Sequence, residues 1–224
     1  MFNSSKPRER IMNSNPDILL EYGERVLSSS QHTFQKDDIV FNVNDPSDLI
    51  YFIEKGSVKL AKEPNESTEK VKAILGEGSV FGVMALAGEE HRTEIAKVLM
   101  NDTVLRVLVV KELLDAAQGD ETLFTRVLGL MGRKIEKLDK QVESITSKDS
   151  RTRIIDFLKE LALESGKKVG YETLIQNNFT HKDIANLTGT SRQTVTTTLN
   201  QLKEKNIINF DRRRILIRDL ALLA

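Results

Sequence analysis

There is no cysteine among the 224 residues. That absence excludes disulfides, cysteine-ligated zinc, iron–sulfur clusters and thiol catalysis. Long hydrophobic runs are missing too. No apolar stretch reaches the roughly 18 residues that span a bilayer, and the N-terminal "MFNSSKPRERIMNSNPDILLEYGERVL" lacks the apolar core of a secretory signal. A cytoplasmic location with no membrane partner is expected. Histidine is scarce: only His32 and His91 fall in the segment that reads as β, and they form no H-x-H pair. A metal enzyme on a cupin-like barrel needs clustered His and carboxylate ligands on neighbouring strands. No catalytic residue and no metal ligand is therefore assigned, and the chain is not read as an enzyme. Net charge is absent as well, with 33 basic and 33 acidic residues. The distribution is uneven, however. From Arg151 onward there are 13 Lys+Arg against 8 Asp+Glu; the preceding 150 residues hold 20 and 25. A basic C-terminal third on an acidic body is expected of a nucleic-acid-binding module joined to something else.

What is present falls into three segments. Pro16 to Ser30 reads as a short helix. From about Gln31 to Val110, short runs such as "DIVFNV", "LIYFIEKGSVKLA", "KVKAIL", "EIAKVLM" and "TVLRVLVV" are separated by turn clusters: "NDPSD", "EKGS", "EPNEST", "GEGS", "AGEE". Many short strands with Gly- and Pro-containing turns predict a sandwich or small barrel. From Glu121 the period changes. Phe124, Leu128, Met131, Ile135, Leu138, Val142 and Ile145 follow one another at alternating steps of four and three, with mostly charged residues between them. This narrow a/d seam predicts a long helix paired with its copy in a parallel homodimer. The competing reading is a helix laid across its own β domain. "TSKDSR" (146–151) interrupts the seam and is a candidate hinge, and "RTRIIDFLKELALESG" follows as an amphipathic helix ending at Gly166.

The last segment carries the chemistry. Thr180 can cap a helix over "HKDIANLTG", with Asp183 completing a capping box and Gly189 supplying a left-handed turn. Ser191 or Thr190 caps a second helix whose buried stripe is Val195, Leu199 and Leu202. Two short helices joined by a tight Gly turn make a helix-turn-helix. "IINF-DRRR-ILIRD" then reads as a wing, strand–turn–strand, with Arg212, Arg213 and Arg214 suited to phosphate contact. Thr194, Thr196, Thr197 and Thr198 are an odd choice for a solvated helix face, because β-branched residues lose rotamer freedom there. No acid occurs from Ser191 to Gln201, as a helix lying against a polyanion requires. Double-stranded DNA is the expected partner. The reading set is Ser191, Arg192, Gln193, Thr194, Thr196 and Thr197, with Arg192 able to reach guanine and Gln193 adenine, and Thr180 and the wing arginines beside them.

The stretch "DIANLTGTSRQTVTTTLNQLKEKNII", with the β segment and the long helix ahead of it, resembles the cyclic-AMP receptor protein/fumarate-nitrate regulator (CRP/FNR) superfamily from about Ile18 to Asp219. The resemblance implies an α+β architecture: a β domain of cyclic-nucleotide-binding jelly-roll (double-stranded β-helix) type at 1–120, a dimerisation helix at 121–146 and a winged helix-turn-helix at 147–224. It implies a bacterial regulator that binds an inverted-repeat operator and meets RNA polymerase. It also implies an effector site, for which Phe81, Gly82, Val83, Met84, Arg92, Thr93 and Arg133 are the candidates. Here the chain departs from the cAMP-binding branch. Val83 stands where a ribose-binding Glu is expected, and Leu138 and Asp139 stand where a Thr-Ser pair meets adenine. Cyclic AMP is therefore disfavoured as effector. "FGVM" is more similar to the nitrogen-control branch, which senses 2-oxoglutarate. A haem-sensing branch would need His32 or His91, and the iron–sulfur branch needs cysteine. Gln193 and Thr197 replace the family's frequent Glu and second Arg, which implies a half-site unlike TGTGA. A ligand-controlled regulator and a constitutive one with a ligand-free β scaffold both remain open.

Overall fold

The computed structural model describes residues 29–62, 70–176, 179–211 and 214–223. The helix expected at Pro16–Ser30 and the turn "EPNEST" lie outside the described residues, apart from the end of the former. Two compact units emerge: one holds the described residues up to Leu60 together with Ile74–Lys137, the other the described residues of 61–73 together with those from Leu138 onward, so one boundary falls inside the long helix.

The β domain is built on two four-stranded sheets. One has the order β1-β8-β3-β6: Ser30–Phe34, Thr103–Val109, Leu49–Lys55 and Val80–Phe81. Its β1–β8, β3–β8 and β3–β6 pairs are antiparallel. The other has the order β2-β7-β4-β5: Ile39–Phe41, Ile95–Val98, Val58–Lys62 and Lys70–Leu75. The sheets meet through aromatic rings. Phe41 of β2 lies 5.7 Å from Tyr51 of β3 and 6.0 Å from Phe81 of β6. "EKGS" makes the tight β3–β4 turn, with Gly56 at φ 96°, a conformation open to glycine. After β6 comes a 3₁₀ segment, Val83–Ala87, and after β8 a helix, α1, Val110–Gly119.

The long helix, α2, runs Glu121–Ser147 as one element of 27 residues, about 40 Å at 1.5 Å per residue. Its first half shows two stripes. Leu123, Val127 and Leu130 are buried in a cluster with Ile50, Leu113 and Ala117 of the β domain. The heptad seam lies on another face. Phe124, Leu128, Ile135, Leu138, Val142 and Ile145 are all between 48% and 65% exposed. Met131 differs from its neighbours: it is half-buried against the β-domain cluster. The helix thus packs one stripe on its own β domain and leaves the heptad seam exposed.

Beyond the β domain, the C-terminal unit runs from Leu138 of α2 into α3, Ser150–Ser165. The expected interruption at 146–151 is smaller than the sequence suggested, since only Lys148 and Asp149 lie between α2 and α3. Asp149 caps α3 by accepting from the amides of Arg151 and Thr152, and these bonds hold its carboxyl below the usual aspartate range. Then come β9 (Lys167–Val169), β10 (Glu172–Gln176), α4 (His181–Thr188), α5 (Arg192–Glu204), β11 (Ile208–Phe210) and β12 (Arg214–Ile217). The strands form one sheet, β11-β12-β10-β9. Its core joins Ile154 and Leu158 of α3, Ile175 of β10, Ile184 of α4, Leu199 of α5 and Ile215 of β12.

Candidate DNA-reading and effector sites

The two short helices start and stop for local reasons. Thr180 Oγ1 accepts from the amide of Asp183, and the Asp183 carboxylate accepts from the Thr180 amide, a full capping box. α4 ends at Gly189, whose φ of 61° and ψ of 40° are left-handed. The Ser191 hydroxyl then caps α5 by accepting from Thr194 N–H at 3.0 Å, which settles the choice between Ser191 and Thr190. Val195, Leu199 and Leu202, each 1% exposed or less, seat α5 on the domain core.

The threonine run does not form one face. Thr198 is 3% exposed and belongs to the core side of α5. At about 100° per residue, four threonines within five positions wrap around the helix. Thr194 Oγ1 is within 2.8 Å of Ser191 Oγ. Thr196 is half-buried, with its hydroxyl donating to Arg192 O at 2.9 Å and lying 2.8 Å from His181 Nδ1. Arg192, Gln193, Thr197 and Asn200 are the outward set. Asn200 was missed in the sequence reading. Its position, seven residues after Gln193 and three after Thr197, was the signal that could have found it. Thr180 is exposed at the cap of α4.

The wing is an antiparallel β11–β12 pair. Arg212 and Arg213 lie outside the described residues. Arg214 turns back along the strand, its Nε and Nη2 each 3.3 Å from Asp211 Oδ2. Lys203 of α5 sits over the Phe210 ring at 5.2 Å, bracing α5 against the wing.

In the β domain, Phe81, Gly82 and Arg92 come together. Arg92 is 2% exposed. Its Nη1 donates to Gly82 O at 3.2 Å and its Nη2 to Leu49 O at 2.5 Å. The guanidinium lies over Phe41, 4.5 Å from the centroid, and 5.9 Å from that of Tyr51. Its Nε is buried without an acceptor among the described residues. Burial drives the Tyr51 hydroxyl above its usual pKa, against the opposing charge of Arg92. Val83 is buried and apolar, whereas Met84 is 42% exposed. The Thr93 hydroxyl donates to Glu89 Oε1 at 3.0 Å, and Arg133 is exposed on α2. His32 is exposed, with Nε2 2.9 Å from Ser30 Oγ.

These two sites match known sequence families in the same order. Residues 31–120 match the cyclic nucleotide-binding domain, and residues 152–224 match the Crp-like helix-turn-helix domain. The chain belongs to the CRP/FNR family of transcription regulators. It is 27% identical over 186 residues to the global nitrogen regulator of Nostoc sp., covering 83% of each chain. It is also 27% identical over 207 residues to the cyclic AMP receptor protein of Thermus thermophilus, covering 92% of this chain and 89% of that one. The fold matches that of FixK2 from Bradyrhizobium japonicum with a TM-score of 0.75, at 21% identity over 88% of this chain and 96% of that chain. Its CRP/FNR relatives are transcription regulators. No helix among the described residues is long and apolar enough to cross a membrane.

For a CRP/FNR protein the natural test of the β domain is a cyclic nucleotide. Two features of the residues present weigh against one. Valine at position 83 cannot accept a ribose hydroxyl bond. The guanidinium of Arg92 donates to two backbone carbonyls and lies over an aromatic ring.

Proposed function

We propose that two copies of this CRP/FNR chain pair along α2 and read an inverted-repeat operator through paired α5 helices, under control of a small β-domain ligand that is not a cyclic nucleotide. The observation that carries the dimer is the seam: six large apolar side chains at heptad spacing, 48–65% exposed in the single chain. A soluble helix does not keep such a line in water, because contiguous exposed apolar surface marks an interface. Each copy then offers Arg192, Gln193, Thr197 and Asn200 to one half-site, with Ser191, Thr194, Thr196 and the wing arginines supporting. RNA polymerase contact and a cytoplasmic setting belong to the same reading. Sedimentation velocity tests it: a dimer is expected at micromolar concentration, and single chains both free and on operator would overturn it.

One observation favours a second reading, a constitutive regulator with a ligand-free β scaffold. Arg92, the obvious anion receptor, is internally engaged. A ligand shifts a conformational equilibrium only through unequal affinity for its states. Operator titrations with and without cyclic AMP and 2-oxoglutarate separate the readings. Cyclic AMP is expected to leave affinity unchanged. A change with 2-oxoglutarate supports ligand control, and a response to cyclic AMP would refute the fit argument built on Val83 and Arg92.

A further inference from the structure

One side chain ties the joint between α2 and α3 to the turn between α4 and α5. Arg153 Nε donates to Thr188 O at 2.7 Å, and Nη2 to Gly189 O at 2.9 Å. Nη1 donates to Lys148 O at 2.6 Å, and Nη2 also reaches Ser150 Oγ at 3.3 Å. Thr188 and Gly189 close α4, where backbone carbonyls lack helical partners and a cation is favoured. Lys148 is half of the two-residue joint. A second contact reinforces the first. A Cβ on Gly189 would lie 3.6 and 3.7 Å from Cγ1 and Cδ1 of Ile145, so the last seam residue of α2 abuts the same turn. On the other side of the joint, Lys148 Nζ pairs with Asp156 Oδ2 at 2.8 Å.

We infer that Arg153 is a positioning residue for DNA reading. It makes the end of α2, the joint and the turn that launches α5 one body, so that seam geometry sets the spacing of the half-sites. The candidate hinge at 146–151 is thus a fastened joint. Leu138–Ile145 move with the reading helix, and re-aiming of α5 must originate N-terminal to them. Arginine is needed because a planar fork with five donors can serve carbonyls on separate segments at once; a lysine ammonium is a single point. Arg153 acts through the turn and joint, and this inference rests on the homodimer reading.

The test compares wild type with Arg153→Lys and Arg153→Gln on inverted repeats whose central spacer is shortened or lengthened by one or two base pairs, at fixed salt. Dimerisation is followed by sedimentation and stability by thermal melting. Both variants are expected to remain dimers while the preference for the best spacer over its neighbours falls by roughly tenfold, the scale of losing one or two charge-assisted hydrogen bonds. Arg153→Lys keeps the charge, so its loss of spacing preference does not reflect weaker phosphate attraction. Lower melting temperatures with wild-type spacing preference would overturn the inference and leave the dimer reading standing. A wild type that sediments as single chains on operator sinks both. For variants that do not fold, amide exchange on the wild type decides. Thr190 N–H, bonded to Ala185 O, and Arg153 N–H, bonded to Asp149 O, are expected to be protected in free protein as on operator. Protection acquired only with DNA would contradict a preformed body.

Discussion

At the scale of single residues, the proposed reading face of α5 is narrower than its composition. Arg192 is exposed at the first turn, where a helix in the major groove leads with its N-terminal residues. Arg192→Ala is expected to weaken specific binding by about 1–3 kcal/mol and relax preference at one base pair. Anisotropy titrations on native and single-substituted operators check it. His181 acts from behind. Thr196 gives its one hydroxyl proton to Arg192 O and so accepts from His181 Nδ1. Burial, and then the charge of Arg192, hold His181 below the usual histidine pKa. Between that lowered value and the ordinary one near 6.5, the unfolded chain binds more protons than the folded one. Stability from this group is therefore full above about pH 6.5 and falls as pH drops through the window. Asn at 181 can still donate to Thr196. Urea denaturation at about pH 7.5 and about pH 5.5 should show His181→Asn losing less stability on acidification than wild type. An equal loss in both proteins would exclude His181 as the cause. Capping residues Thr180, Asp183, Gly189 and Ser191 were legible in the sequence because each acts within three or four positions. The burial of Thr198 was not, since it depends on where the Val195–Leu199 stripe points.

Elements were legible where their own period was long. Alternating steps of four and three over the 22 residues from Phe124 to Ile145 announce α2. What they do not announce is the second stripe, Leu123, Val127 and Leu130, which needs the β domain to bury it. α1 escaped notice because "TVLRVLVV" runs into Val110 with no Gly or Pro to mark the change from strand to helix. The β9–β10 hairpin escaped because β9 is three exposed residues, "KKV". Two substitutions test these elements. Ile135 is 65% exposed in the single chain, so Ile135→Glu removes nothing from that chain's core. It places like charges across the seam of a dimer, where partner a/d side chains interlock. Dissociation to folded monomers is expected, read by sedimentation with an unchanged far-ultraviolet spectrum. Gly82 has φ 77°, and a Cβ there would lie 3.0 Å from both Arg92 Nη1 and Leu49 O. Gly82→Ala combines a left-handed backbone with collision against a fixed carbonyl and should destabilise by about 1–3 kcal/mol. Chemical denaturation measures that loss.

At the scale of the whole molecule, the formal charge of zero hides the balance that matters. The excess of Lys+Arg over Asp+Glu from Arg151 onward is offset by the preceding 150 residues, so attraction to DNA is local to the reading unit and screened within about 8–10 Å at moderate salt. One such unit can hold a half-site only through its own phosphate and base contacts. Two units joined by the α2 seam convert the second encounter into an intramolecular one, and avidity of about 10²–10⁴ is then expected for an inverted repeat over an isolated half-site. The gain has a geometric signature. Half-sites one helical turn apart, about 10–10.5 base pairs, face the same side of the duplex. Inserting about five base pairs turns one of them away while leaving every base contact available, so affinity should fall to nearly that of the single half-site. Restoring a full turn with about ten added base pairs should not recover it, because the seam fixes the reach as well as the direction of the two α5 helices. Gel-shift or anisotropy measurements on these four duplexes decide the matter. Equal binding to all four would mean that each chain reads DNA alone and that the exposed seam on α2 serves something other than pairing.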